Sequence, residues 1–426
     1  MPEQEKHNKS NANQVVEHLF RHESAKVVSH LTRVYGTSNL EIVEDAVQES
    51  LIKAMQTWSF KGVPDNPTSW LMTVARNLVL DQLRRNSNFL GKQESILVEQ
   101  EYLSGGVVEL EVDDPKLFED DQLRMIFACC HPAISPEYQI VLTLKILGGF
   151  SKAEIAKALL KKEDAVAKAY TRAKKKLSEN STKLEVPPES EIRTRLSIVL
   201  KIIYLLFNEG YTASSGEELT KQDVCIEALR LNDLLLKNSM TAEPEVHALQ
   251  ALMYFQVSRF DARVNENGEL LTLDKQDRAR WHRGYIDLGI QQLGLAANGV
   301  QLSEYHIQAS IACFHCVAEN FESTNWHGIL SMYDFQMQLN PAPVVALNRV
   351  VVINQLHGPK KALAEYEKLG AKDLDTYYLY HAVLGDIYEK LKEPKKAAQA
   401  YRLAKSLTNN NVEITYLEAK IKDLSF

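Results

Sequence analysis

Apolar residues recur along this chain at intervals of three and four rather than in alternation, and the elements this spacing predicts are helices. Val15, Val16, Leu19 and Phe20 begin one apolar face, and Ile42, Val43, Ala46, Val47, Ser50, Leu51 and Ala54 carry a second helix over about Asn39 to Trp58. A third starts at Asn66-Pro67, where an Asn cap precedes Pro at the first helical position, and runs to about Arg85. The loop between the second and third is Ser59 to Asp65. From Gly91 to Glu119 the periodicity dissolves into Gly105-Gly106, Asp113-Asp114-Pro115 and many carboxylates, which is the signature of a linker.

Helical spacing resumes over Asp120 to Leu177 and ends in helix-turn-helix proportions. Ser151 and Glu154 form a capping box ahead of Ile155, Ala156 and Leu159. After a short turn a second helix spans about Glu163 to Leu177, with Val166, Tyr170 and Ala173 on its buried side and Lys168, Arg172, Lys174, Lys175 and Lys176 on the other. Two readings fit this spacing: a DNA-recognition helix, or a solvated basic face on an ordinary helical hairpin.

Beyond Val186-Pro187-Pro188 helix follows helix. Near the end, Pro359-Lys360-Lys361-Ala362 recurs as Pro394-Lys395-Lys396-Ala397, with Tyr366 matched by Tyr401 at the same offset of 35. A period near 34 is that of tetratricopeptide repeats, and Leu384, Gly385, Tyr388, Ala397, Tyr401 and Ala404 fit the template of one repeat. The stretch before residue 340 is helical but degenerate as a repeat.

Composition narrows the class. With 45% hydrophobic and 25% charged residues over 426 positions, the chain has material for several packed domains. Eighteen Gly and thirteen Pro are too few for a collagenous or turn-rich β architecture. The net charge of −7 is unevenly spread: the balance is −7 over 91–120 alone and +5 over 121–185. An acidic tether followed by a basic module points to a nucleic-acid-facing part. The opening MPEQEKHNKSNANQ lacks a basic-then-apolar leader and no apolar window is long enough to span a bilayer, so a cytoplasmic location without membrane association is expected. Five scattered cysteines suit a reducing compartment. Cys129-Cys130-His131 and Cys313-Phe314-His315-Cys316 lack the paired spacing of a zinc site, so no metal and no cofactor are expected, and the absence of catalytic motifs argues against an enzyme.

Asp45-Ala46-Val47-Gln48-Glu49-Ser50 followed by Trp70 through Arg85 resembles region two of bacterial RNA polymerase sigma factors of the extracytoplasmic-function type, and Ser135-Pro136-Glu137 through Leu177 resembles their region four. Leu123 through Pro132, Phe207 through Gly216 and Val344 through Arg349 are similar to the subgroup with a C-terminal TPR-like extension. The resemblance implies that Glu41, Glu44, Asp45, Gln48 and Glu49 bind the clamp coiled coil of core RNA polymerase. It implies that Phe60, Lys61, Asp65, Trp70, Arg76, Asn77, Arg84 and Arg85 read and open the −10 element of promoter DNA, with the loop receiving an extruded base. It assigns the −35 element to Lys161, Lys162, Lys168, Arg172 and Lys175, although Ala165, Ala167 and Lys161-Lys162 depart from the commoner region-four pattern. Lys174 to Lys176 fall on phosphates or in solvent on this reading.

The expected architecture is all-α: a polar tail over 1–12, a region-two-like domain over 13–90, an acidic linker over 91–119, a region-four-like helix-turn-helix domain over 120–180 and a helical TPR-like domain over 181–426. The expected function is promoter-specific transcription initiation, with the extension regulating it through a protein or peptide partner. Two other classes account for parts of the pattern: a one-component helix-turn-helix regulator with a TPR-like sensor, and a helical scaffold without a DNA role.

Overall fold

Eighteen α-helices and no β-strand make up the described residues, as the periodicity predicts. The computed structural model describes residues 23–90, 115–159, 161–179, 184–211, 222–263, 265–266, 270–370 and 374–424; the apolar face expected at Val15 to Phe20 and most of the acidic stretch lie outside them. The chain divides into two compact units, 1–203 and 204–426.

The first unit holds α1 (Ser24–Tyr35), α2 (Leu40–Lys61), α3 (Pro67–Leu90), α4 (Pro115–Cys129), α5 (Pro136–Ile146), α6 (Lys152–Ala158), α7 (Glu163–Glu179) and the start of α8 (Glu189–Tyr211). Along α2 the buried row is Val43, Ala46, Val47, Ser50, Leu51, Ala54 and Trp58, one stripe at helical spacing, and α1 and α3 pack beside it. The helix ends at Gly62, whose φ of 81° is a left-handed value that side chains other than Gly adopt at a cost. This corrects the sequence reading at three positions: Ser59, Phe60 and Lys61, expected in the loop, close the last turn of α2. At the start of α3, Asn66 Oδ1 accepts the amide of Ser69 at 3.0 Å, as the cap signal predicts.

The helix-turn-helix also forms as read. Ser151 Oγ accepts the Glu154 amide at 3.1 Å while the Glu154 carboxylate accepts the Ser151 amide at 2.8 Å. Val166, Ala169, Tyr170, Ala173 and Leu177 form the buried edge of α7, which packs on α5, α6 and α2. A second joint lies between α1 and α4. There Asp121, fully buried, meets His30 at 2.8 Å, Arg33 at 2.7 Å and Arg124 at 3.0 Å. Arg195 of α8 donates to the Phe127 carbonyl and lies over the Phe127 ring, so α8 is part of this unit as far as its midpoint.

In the second unit, α10 (Pro244–Val257) is buried around nearly its whole circumference, with α9 (Gln222–Lys237), α11 (Arg283–Ala296) and α12 (Glu304–Val317) against it. Gly289 permits the α11 approach: a Cβ there would lie 2.6 Å from the Phe255 ring. Each later helix packs mainly on the next: α13 (Trp326–Leu339), α14 (Pro343–His357), α15 (Pro359–Tyr366), α16 (Tyr378–Lys390), α17 (Pro394–Ser406) and α18 (Asn411–Asp423). The offset-35 repeat is structural as well as textual. Pro359 and Pro394 each open the second helix of a pair; Ala362 and Ala397 are both fully buried, and Tyr366 and Tyr401 nearly so.

Candidate functional site

Helix α2 turns one charged edge to solvent. Glu41, Asp45, Gln48 and Glu49 are exposed there, and Ile52, Met55 and Phe60 extend the same helix with exposed apolar surface. Carboxylates and an amide beside apolar side chains suit a partner helix that carries basic residues along an apolar seam. Glu44 departs from this group. It stands at the seam with α7, where Tyr170 Oη donates to one carboxylate oxygen and Lys174 Nζ lies 3.2 Å from the other and 3.6 Å from Glu41.

The basic and amide residues of α3 form a second exposed surface. Asn77, Arg84 and Arg85 are exposed and Arg76 is half-buried; Asn77 and Arg84, seven residues apart, share one face. Trp70 is half-buried and meets Trp58 edge to face, ring centroids 5.3 Å apart, so it anchors α3 on α2. Lys61 and Asp65 are exposed on either side of the short loop, and Phe60, 79% exposed, stands at its edge with no apolar cover. An aromatic ring in that position is free to stack on a flat ligand.

On the helix-turn-helix, Lys161, Lys162, Lys168, Arg172 and Lys175 are all exposed. Lys161 pairs with Glu137, Arg172 donates to Tyr138 at 3.4 Å, and Lys175 lies 3.6 Å from Glu179. Each of these contacts is at the surface and exchangeable for a phosphate. Lys174 differs from the assignment that sequence suggests. It lies on the Tyr170 side of α7, its ammonium over the Tyr170 ring at 5.1 Å, and faces α2 instead of solvent or phosphate.

Two features of this unit have no signature in the periodicity: the Tyr170–Glu44–Lys174 contact and the Asp121 cluster. A tyrosine on the buried edge of a basic helix does signal that its hydroxyl needs an acceptor, but not which one. Burial, and then the Glu44 carboxylate, hold the Tyr170 phenol well above its ordinary value, so it stays a donor. Lys145 sits with Glu44, Gln48, Val28 and Leu51 around a cavity of about 40 Å³, and burial lowers its affinity for a proton against the opposing effect of Glu44.

The cysteine-bearing stretches show thiol chemistry suppressed by burial. Cys130 is pushed up to about 12 and Cys316 to about 11, burial being the main cause in both. Among the described residues no group of three His, Cys, Asp or Glu side chains is placed to hold a metal ion, and no helix is long and apolar enough to cross a membrane.

Comparison with known proteins matches three segments of the chain. Residues 19–89 match the family described as Sigma-70 region 2, residues 124–177 match Sigma-70, region 4, and residues 195–297 match a family of unknown function, DUF6596. An uncharacterized protein of Rhizobium meliloti (strain 1021) is 37% identical over 395 residues, covering 91% of this chain and 91% of that protein. No solved structure matches.

Proposed function

This chain belongs to the extracytoplasmic-function type of bacterial RNA polymerase sigma factors, with a C-terminal extension, and from that premise we propose how its surfaces divide the work of transcription initiation. The observation that carries the reading is the set of three exposed faces, one on each of α2, α3 and α7, inside the segments that match region two and region four. Glu41, Asp45, Gln48 and Glu49, with Glu44 at the margin, bind the clamp coiled coil of core polymerase, where opposite charge sets orientation and association rate. Asn77, Arg76, Arg84 and Arg85 engage the −10 element, Asn and Arg being able to pair with base edges, while Phe60, Lys61, Asp65 and Trp70 frame a place for an unstacked base. Lys161, Lys162, Lys168, Arg172 and Lys175 hold the −35 duplex, largely through phosphates. The protein works in the cytoplasm and has no catalysis of its own. The extension is a TPR-like array that regulates the factor by holding a peptide or helix; the repeated pairs with buried Ala362, Ala397, Tyr366 and Tyr401 support that reading.

The deciding experiment is gel filtration of the full chain with cognate core polymerase at micromolar concentration. A complex is expected, and replacing Asp45 and Gln48 together by Ala weakens it at least tenfold, a loss of about 1.4 kcal/mol, without changing helicity. Failure of the wild-type chain to co-elute with polymerase removes the assignment of α2.

A further inference from the structure

We propose that the long connection between α10 and α11 builds a binding site for a small phosphate-bearing molecule, with the phosphate held by Arg259 and Arg278 beside Trp281. The site lies wholly in the second unit and does not depend on the reading of α2 as the polymerase helix.

Three observations carry it. The first is the connection itself. It runs from residue 258 to residue 282, in an array whose other joints, such as 297–303 and 340–342, are short. It holds three short helical turns, Phe260–Ala262, Leu273–Lys275 and Arg278–Arg280. Connections longer than about 12–15 residues in a compact domain usually carry function. This one falls within residues 195–297, the segment that matches the family of unknown function.

The second is positive charge without a counter-ion. Arg259 and Arg278 both lie over the Trp281 ring, 5.2 Å and 4.5 Å from its centroid, and Arg263 is buried against Tyr211, 4.0 Å from that ring. Among the described residues no carboxylate forms an ion pair with any of the three, whereas Arg230 and Arg349 of the same unit are paired. Asp261, Asp274 and Asp277 of the connection are exposed, and Glu322 acts on Arg278 from beyond ion-pair distance. Gathering half-buried cations without an anion costs stability, and a bound dianion relieves that cost. A phosphate monoester brings a charge of about −1.5 to −2 and three acceptor oxygens, which guanidinium forks meet two at a time.

The third is unmet hydrogen bonding. Four buried side-chain nitrogens in one run of contacts have no partner among the described residues: Arg278 Nη2, Trp281 Nε1, His315 Nδ1 and Trp326 Nε1. Arg278 lies over Trp281 and donates to the His315 and Ala318 carbonyls, and the His315 ring meets Trp326 edge-on. Native interiors leave few such groups, and a cluster of them marks a place that a ligand completes. Arg259 engages only its Nε, which donates to Gln276 Oε1 at 3.3 Å, and Gln276 is itself fixed by donating to the Leu271 carbonyl at 3.0 Å. The two terminal nitrogens of Arg259 are left to meet a phosphate arriving from solvent, and a swing of the half-buried Arg278 side chain brings Nη2 to the same group.

The test is equilibrium dialysis of the full-length protein against radiolabelled inorganic phosphate at pH 7.5 and constant ionic strength. One saturable site per chain is expected. Arg259→Gln weakens it at least tenfold, Arg259→Lys recovers part of the loss, and Lys360→Gln, an exposed position on α15, leaves it unchanged. A readout that needs no variant is phenylglyoxal modification of wild type, scored by mass spectrometry: phosphate lowers labelling of Arg259 at least fivefold and leaves that of Arg283, exposed at the start of α11, unchanged. Absence of saturable binding, or labelling of Arg259 that phosphate does not lower, overturns the site. Competition then identifies the source. Glycerol 3-phosphate is expected to displace the label at least as well as unlabelled phosphate, while acetate at tenfold higher concentration does not. Displacement by acetate as effective as that by phosphate, or by a phosphoserine peptide at least tenfold more effective than glycerol 3-phosphate, overturns the assignment to a small phosphate-bearing molecule.

Discussion

The ring of His315 lies edge-on to Trp326 in a part of the second unit that also holds Arg259 and Arg278. Burial first, and then the two guanidinium groups, push its proton affinity down to about 3. An unfolded chain binds that proton near pH 6.5, so between pH 6.5 and 3 the unfolded state holds one proton more than the folded state at this site. The consequence is a stability that is intact above pH 6.5 and declines as pH falls, with a slope of up to about 1.4 kcal/mol per pH unit from this residue. Urea titrations of wild type and His315→Gln between pH 7.5 and 4.5 check it: the variant has the flatter profile, and parallel profiles would assign the acid sensitivity elsewhere. Cys316, next in sequence to His315, is buried, and burial pushes its thiol up to about 11.

Among the helices, the closest designed approach in the repeats is Gly385 of α16 against α17, where a Cβ would stand 2.5 Å from the Tyr401 ring. Gly385→Leu overpacks this contact and costs roughly 1–3 kcal/mol, read as a lowered urea midpoint. Gly294 of α11 has open space around its missing side chain, so Gly294→Leu is neutral or slightly stabilising in the same assay. Elements of this kind are legible in sequence because their determinants are local or repeated: Asn66-Pro67 and the Ser151–Glu154 box lie within a turn of what they specify, and the offset of 35 writes the same helix pair twice. The faces of α3 and α7 were legible for the same reason, since residues seven apart share a side whatever surrounds the helix. The joint between α1 and α4 was not. Asp121 and His30 are 91 residues apart, and no periodicity records which carboxylate of an acidic sequence is the one that becomes buried. Glu44 is a milder case: its helix was read correctly, but its partner 126 residues downstream decided which way it faces.

For the whole molecule, the expected effect of removing the extension depends on where the chain is cut. The Val186-Pro187-Pro188 break looks like a boundary in sequence, yet α8 beyond it sends Arg195 back to Phe127 and buries Ile192, Leu196, Val199 and Leu200. A chain shortened after residue 203 retains these contacts, and its promoter-reporter output, compared with the full chain at matched protein levels, is expected to differ in at least one growth condition. Identical output in all conditions would make the extension dispensable for control. The four tryptophans are divided evenly, Trp58 and Trp70 in the first unit and Trp281 and Trp326 in the second. The Trp58–Trp70 pair sits at the joint between α2 and α3, the helices proposed to face polymerase and to open the strands, so on that proposal the protein carries its own optical gauge of promoter melting. Emission from that pair, which requires no attached dye, is expected to change when a base is drawn in beside α3, and an unchanged spectrum on promoter opening would place the base elsewhere.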